Sequence, residues 1–80
     1  NYPNPFNPET TISFSFPKSD NISLEIFNIK GQLVETLITD YREAGKHSII
    51  WDAKNINSGI YFYRLQTADF TEMKKCILVK

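Results

Sequence analysis

The 80-residue sequence has little of the residue types that usually reveal a chemical function. Its one cysteine, Cys76, excludes an internal disulfide, the CxxC spacing of a zinc site and a redox pair. Its three glycines lie far apart, which excludes a glycine-rich phosphate loop. Nine basic and nine acidic side chains cancel, so the basic footprint of a nucleic-acid binder is missing. No apolar run approaches the roughly 20 residues of a membrane helix. We therefore expect no nucleic-acid partner and no transmembrane segment.

A chain of this length has room for one hydrophobic core and for limited stability, so a two-domain enzyme is excluded. The sequence begins with Asn1 instead of Met, and we interpret it as a piece of a longer precursor. Three of the four prolines lie in the first nine residues, and each favours extended backbone at itself and at the residue before it. Residues 1–9 are therefore predicted to form a stiff strap, pinned by Tyr2 and Phe6, ahead of a domain at residues 10–80. A solvated linker is the alternative.

Beyond the strap, apolar and polar residues alternate, which is typical of half-buried strands. The predicted strands place on one face Ile12, Phe14 and Phe16, then Ile22, Leu24 and Ile26, then His47, Ile49 and Trp51. The last predicted strand is apolar on both faces, with Cys76 and Leu78 on one and Met73, Ile77 and Val79 on the other. Residues 32–39 fit a short amphipathic helix or a bulged strand, and we favour the strand because eight residues are few for a helix. Residues 60–67 are apolar on both faces, which predicts a central strand covered on each side.

Turns are predicted at residues 18–21, 28–31, 40–46, 53–59 and 68–69, with Gly31 supplying a positive φ. Six or seven short strands separated in this way indicate an all-β fold, a small antiparallel β-sandwich.

Candidate catalytic and metal-binding residues are few, and each has a structural explanation. His47 shares a strand face with Ile49 and Trp51, and no serine lies in a Gly-x-Ser-x-Gly elbow, so we interpret the histidine as partly buried and structural. Cys76 lies in an apolar strand, and the alternation directs Lys75 away from it, so the thiol is interpreted as a small hydrophobic group. No enzymatic activity and no cofactor are expected.

The polar loop at residues 52–59 offers oxygen ligands for calcium. It lacks the EF-hand pattern, because Lys54 occupies the third position and no glutamate closes the loop. A non-standard calcium site therefore remains an alternative to asparagines that tolerate unusual turn geometry. Trp51-Asp52 occurs once, so it does not indicate a propeller repeat and is interpreted as a core tryptophan that ends a strand.

Several short motifs follow one another in a characteristic order. They are Tyr2-Pro3-Asn4-Pro5-Phe6-Asn7-Pro8, Thr10-Thr11-Ile12-x-Phe14, Gly31 with Val34 and Leu37, Ala44-Gly45-x-His47, Trp51-Asp52, Ser58-Gly59-x-Tyr61-Phe62-Tyr63-Arg64-Leu65, and the terminal stretch from Lys75 to Lys80. Each motif is weak alone, but the ordered set is specific. Over essentially its whole length, the sequence resembles the type A C-terminal sorting domain of the type IX, or Por, secretion system.

The resemblance implies a small Ig-like sandwich that is related to the Ig-like domain of the flagellar hook-assembly protein FlgD. In the family this domain acts as a sorting signal for export. In that family the precursor reaches the periplasm of a Gram-negative bacterium. The outer-membrane type IX translocon then recognises the domain, and a sortase-like protease can remove it from the upstream cargo. The cargo is released or attached to the cell surface.

Recognition in the family is associated with the last strand. The corresponding residues here are Lys74, Lys75, Cys76, Leu78 and Lys80. The strap would mark the boundary with the cargo, and the remaining motif residues would be structural. Two positions depart from the family pattern at turns. Asn28 stands where an acidic residue is frequent, and Ala53 stands where glycine is common.

Two alternatives accompany this interpretation. The terminal lysines can protect an edge strand from aggregation, with or without a role in recognition. The domain can also be an Ig- or fibronectin-like accessory module that positions an attached secreted enzyme and contacts carbohydrate through Trp51, Tyr61 or Tyr63.

Overall fold

The computed structural model describes residues 9–79, so the strap motif Pro3-Asn4-Pro5-Phe6 and the terminal Lys80 lie outside the described part. Within it the chain forms six strands and no helix. The strands are β1 (Glu9–Phe16), β2 (Asp20–Asn28), β3 (Leu33–Arg42), β4 (Gly45–Asp52), β5 (Gly59–Gln66) and β6 (Thr71–Leu78). The all-β prediction is confirmed. Residues 9–79 contain no helix with the length and apolar character that a membrane crossing requires.

The strands form two antiparallel sheets around one core. β1 pairs with β4, and the other sheet has the order β3-β2-β5-β6. This arrangement confirms the predicted small antiparallel sandwich, whereas the finer relationship to FlgD stays a prediction. Both sheets contribute alternate residues to the core, as period two requires. The buried apolar residues are Ile12, Phe14, Phe16, Ile22, Leu24, Ile26, Ile38, Trp51, Ala53, Tyr61, Leu65 and Leu78.

β3 is a strand, as favoured, and two bulges explain why its sequence is ambiguous. The register with β2 shifts twice, and each shift leaves one extra residue on β3, Leu37 and Val34. Strict alternation cannot direct both Leu37 and Ile38 inward, but a bulge can. Ile38 is buried, and Val34 and Leu37 pack against the core. The bulges thus turn a pattern that resembles a helix into a core-facing strand.

The predicted turn at residues 40–46 is too long, because β3 continues to Arg42 and β4 begins at Gly45. Only Glu43 and Ala44 separate the two strands. Gly45 has a φ of +125°, a backbone conformation that side chains other than glycine rarely adopt. The tight connection therefore depends on this glycine.

The turn between β2 and β3 is confirmed, with Gly31 at a φ of +82°. The Asn28 side-chain oxygen accepts hydrogen bonds from the backbone N–H groups of Lys30 (2.9 Å) and Gln32 (3.0 Å). Its amide nitrogen donates to the Gln32 side chain. An aspartate could make the first two bonds but not the third. The departure at Asn28 is therefore accommodated by the turn.

β5 is central in the sheet, but the prediction that both of its faces are covered is wrong. Tyr61 and Leu65 face the core, whereas Ile60 on the opposite face is 39% exposed. On that outer face the Arg64 guanidinium lies 4.7 Å from the Phe27 ring centroid and 2.6 Å from a Glu25 carboxylate oxygen. Within residues 9–79, a half-buried polar cluster lies there instead of a second apolar layer.

Candidate functional site

The candidate site is β6, which forms one edge of the four-stranded sheet. It pairs with β5 from Gln66 opposite Thr71 to Gly59 opposite Leu78. Its other edge has no strand partner among residues 9–79. The N–H and C=O groups along such an edge can pair with a strand of another chain. The edge is therefore the part of the site that is open to a partner strand.

Alternation divides the predicted recognition residues between the two faces of β6. Lys74 lies opposite Tyr63 in register and shares the inner face with Cys76 and Leu78. Lys75 lies opposite Phe62 on the outer face. Leu78 is buried and Cys76 is half-buried, and both contribute to the core. The structure therefore does not gather the described recognition residues on one surface, and Lys80 lies outside the described part.

Lys74 and Lys75 are exposed. Neither side chain makes an ion pair with another residue in the 9–79 range. The one acidic residue of β6 is Glu72, near its start. The strand therefore offers two unpaired positive charges, one on each face, to any partner that reaches its edge.

Burial raises the pKa of the Cys76 thiol, because a half-apolar environment disfavours the charged thiolate. Lys75, next to it in sequence, points to the opposite face and gives it no compensating charge. A protonated thiol is a poor nucleophile. This supports the interpretation of Cys76 as a small hydrophobic group.

A cavity of about 430 Å³ lies between the β1–β4 sheet and the first half of β6. The side chains of Glu72 and Lys74 line it together with Phe14, His47, Lys46 and serines of β1 and β4. The His47 ring stacks on Phe14 and Phe16, with centroids 5.5 and 5.3 Å apart. Its Nε2 lies 2.7 Å from the Glu43 carbonyl oxygen, to which it donates a hydrogen bond. His47 is half-buried, as predicted, and these contacts support the interpretation of a structural histidine.

The aromatic residues that could contact carbohydrate belong mainly to the core. Trp51 is fully buried, meets Tyr61 edge to face at 5.5 Å, and donates from Nε1 to a Glu35 carboxylate oxygen at 3.2 Å. The Tyr61 hydroxyl donates to the Asn57 carbonyl oxygen at 2.6 Å. Tyr63 faces inward and is partly buried. These residues form no exposed stacking platform, so the accessory-module alternative is not favoured.

The loop at residues 53–58 is held by hydrogen bonds to its backbone groups. Asp52 accepts a hydrogen bond from the Lys54 N–H, and the Ala53 carbonyl accepts one from the Ile56 N–H. Ala53 is fully buried, so the alanine at this family glycine position is accommodated. No non-glycine residue described has a positive φ, so the explanation of the asparagines by unusual geometry is wrong. Over the described range, no three His, Cys, Asp or Glu residues could together hold a metal ion.

Of the other two motif residues of this region, Ser58 directly precedes β5 and Gly59 is its first residue. Gly59 has no positive φ, so its backbone does not require glycine.

The residues that sequence reasoning missed lie beyond Gly59 on the outer face. Ile60 is exposed there beside Ile77 of β6. The sequence signal that could have pointed to Ile60 is the apolar run at residues 60–67, which we interpret from the sequence alone as a strand covered on both faces.

A family model described as "Secretion system C-terminal sorting domain" matches residues 1–80 of the chain. The match includes the strap residues that the structure does not describe. Comparison with curated proteins and with solved structures gave no match.

Proposed function

The chain belongs to the family of secretion system C-terminal sorting domains, and from this premise we propose that the outer-membrane type IX translocon recognises it along β6. The family assignment makes the domain a C-terminal sorting signal for type IX secretion. The protein that carries it is secreted or displayed on the surface of a Gram-negative bacterium. Sorting domains are typically not catalytic, and we propose that this one has no enzymatic activity of its own.

The observation that carries the proposal is the position of the candidate recognition residues on both faces of one edge strand. A partner that binds only one face of the sheet would reach Lys74 or Lys75, but not both. A partner strand that pairs with the free edge would lie beside both faces at once. In such β-augmentation, backbone hydrogen bonds provide affinity and alternate side chains provide specificity. Acidic groups on each side of that strand would meet the two lysines.

Edge protection and recognition are compatible in this arrangement. Suppose that the β6 strands of two copies paired antiparallel, with the pairing centred between Lys74 and Lys75. Lys74 of each copy would then lie opposite Lys75 of the other copy. Like charges opposite each other destabilise a strand pair. The charges that oppose self-association therefore favour an acidic partner strand.

The other partners in this proposal are the upstream cargo of the same precursor and the sortase-like protease of the family. The strap at residues 1–9 would connect cargo and domain, and cleavage would occur upstream of Asn1. Its support is the family match, which includes the strap.

The first experiment removes residues 75–80 from a cargo fusion that carries the sorting domain. We expect the precursor to accumulate in the periplasm, as measured by immunoblots of periplasm, cell surface and medium. Normal export of the truncated precursor would contradict the proposal.

The second experiment tests charge without shortening the chain. Lys74→Glu combined with Lys75→Glu reverses both charges on β6, and Lys30→Glu combined with Lys46→Glu is the matched control on other exposed lysines. Both double variants should keep the stability of the wild type within about 0.5 kcal/mol, because exposed substitutions rarely cost more. Export should fall only for the β6 variant. An equal loss in the control would show a general charge effect and overturn specific recognition.

A further inference from the structure

Both ends of the described chain lie at the same end of the sandwich. Glu9 starts β1 opposite Asp52, and the loop at residues 53–58 leads to Gly59, which lies opposite Leu78. We call this the junction end, because the cargo of a C-terminal sorting domain precedes the strap and therefore enters here. The opposite end, which contains Phe16 and Thr71, is the far end.

The exposed apolar side chains are concentrated toward the junction end. Eight large hydrophobic residues within residues 9–79 are exposed, and six of them lie in that half of the sandwich. The six are Ile29, Leu33, Ile50, Ile60, Ile77 and Val79. Tyr41 and Met73 lie in the far half. Exposed apolar residues that cluster in this way commonly mark an interaction surface.

At the far end, several charged and polar groups contact one another. Lys18 lies 3.8 Å from Asp69, and Arg42 lies 2.8 Å from Asp40. The second carboxylate oxygen of Asp20 accepts a hydrogen bond from the Ala68 N–H at 2.9 Å. The far end therefore differs from the junction end in having charged contacts and only two of the exposed large apolar side chains.

The apolar residues closest to the recognition strand form a pair on the outer face. Ile60 and Ile77 are opposite each other in the β5–β6 register and are 39% and 62% exposed. Val79, 63% exposed, follows directly after β6. In the other direction the next outer-face residue of β6 is Lys75, whose charge is unpaired among residues 9–79. The pair is thus an apolar centre with a positive border.

We propose that the type IX partner docks on this outer face at the junction end, placing an apolar surface on Ile60 and Ile77 and an acidic group opposite Lys75. The inference rests on the proposed function and extends it from the edge of β6 to a surface that includes β5. The surface is continuous with the free edge, so one partner can engage both. The lysines of β6 disfavour a second copy as the occupant, and the unpaired charge of Lys75 favours an acidic border on the partner.

The test compares a double variant with a control in a full-length cargo fusion. Ile60→Thr with Ile77→Thr removes the apolar pair, and Tyr41→Thr, which removes an exposed apolar side chain of β3 in the far half, is the control. Threonine keeps the strand preference of the replaced residues, so both variants should fold. Thermal unfolding checks this, and the secreted fraction is the readout. We expect a severalfold loss of export for the first variant only. The proposal would be overturned if that variant were exported at the wild-type level, or if the control lost as much export as the variant.

Two further measurements examine other occupants of the surface. If sedimentation shows a wild-type dimer that Ile60→Thr with Ile77→Thr dissociates, the occupant is a second copy and the proposal is wrong. If deletion of residues 1–8 increases binding of a hydrophobic dye, and the same double variant abolishes that increase, the strap covers the surface and the proposal is again wrong. A monomer without increased dye binding supports partner docking.

The failure of this inference is distinguishable from failure of the proposed function. Loss of export on removing residues 75–80, together with normal export of Ile60→Thr with Ile77→Thr, would retain recognition by β6 and reject the docking surface. Normal export of the truncated precursor would reject both.

Discussion

β1 and β6 are both eight-residue strands, yet they use their apolar residues differently. In β1 all three inward apolar residues, Ile12, Phe14 and Phe16, are buried. In β6 the terminal Leu78 is buried, whereas Met73 and Ile77 are more than half exposed. The apolar residues of β1 therefore build the core, whereas those of β6 are divided between the core and the surface. β1 is thus a core strand, whereas β6 is the strand on which the proposed recognition depends.

The largest expected effect comes from β1. Phe14→Ala should cost about 3–5 kcal/mol, because it removes a buried ring that contacts Phe16 and His47. Small domains are stable by only about 5–15 kcal/mol in total, so much of the stability would be lost. Denaturant titration measures the change. Ser13→Ala, on the exposed face of β1, is the control and should change little. A small change in the free energy of unfolding on Phe14→Ala would contradict the assignment of the β1 apolar residues to the core.

Leu78→Ala should be the most destabilising single substitution in β6, at roughly 2–3 kcal/mol, since Leu78 is the one buried apolar side chain of that strand. The measurement is again the free energy of unfolding, with Ile77→Ala as the exposed neighbour for comparison. The expected cost for Ile77→Ala is well under half of that value. Equal costs at the two positions would mean that the outer face of β6 is also part of the core.

Gly45→Ala tests the connection that brings β4 to β1. Gly45 pairs with Phe16, and an added Cβ would meet no atom within 4 Å, so strain at the φ of +125° is the expected cost, about 1 kcal/mol. Gly59→Ala is the matched control, because its φ is not positive and its Cβ would lie in ordinary contact with Tyr61. Thermal unfolding of both variants should separate them. A stable Gly45→Ala domain would contradict the strained conformation.

The smallest expected effect is a pH dependence from Cys76 in β6. Burial raises the pKa of the folded thiol, so the unfolded thiol loses its proton first as pH rises. The resulting stability is fully present below the unfolded thiol pKa and is lost as pH rises through the folded pKa. Unfolding of the wild type and Cys76→Ala from pH 7 to 10 measures it. Stability of the wild type should fall more steeply, and parallel profiles would contradict the burial of the thiol.

The sequence predicts the elements with strict alternation most accurately. β1, β2 and β4 occur with their inward residues as expected, because the side-chain period of a strand is two. The strand β3 is harder to predict from the sequence, because its two bulges place Val34, Leu37 and Ile38 inward without regular alternation. The bounds of the turn before β4 were also wrong, since the pairing of β1 with β4 down to Gly45 is a contact between residues distant in sequence.

The exposure of residues in the candidate site also depends on contacts between residues distant in sequence. The motifs located the last strand and its lysines, but alternation alone did not show which apolar residues of β5 and β6 would be exposed. The run at residues 60–67 was interpreted as covered on both faces, whereas Ile60 and Ile77 form an exposed pair. Exposure depends on what lies over the sheet, and a two-stranded sheet covers only one face of the four-stranded one.

The sequence by itself determined the family, the all-β class and the residues that alternate into strands, since motif order and side-chain period are local properties of the chain. The tertiary structure decided which strand is an edge, which faces are covered and where the chain ends meet. These depend on pairing between distant residues, such as Glu9 with Asp52 and Gly59 with Leu78. That pairing brings the start of β1 and the end of β6 to one end of the sandwich.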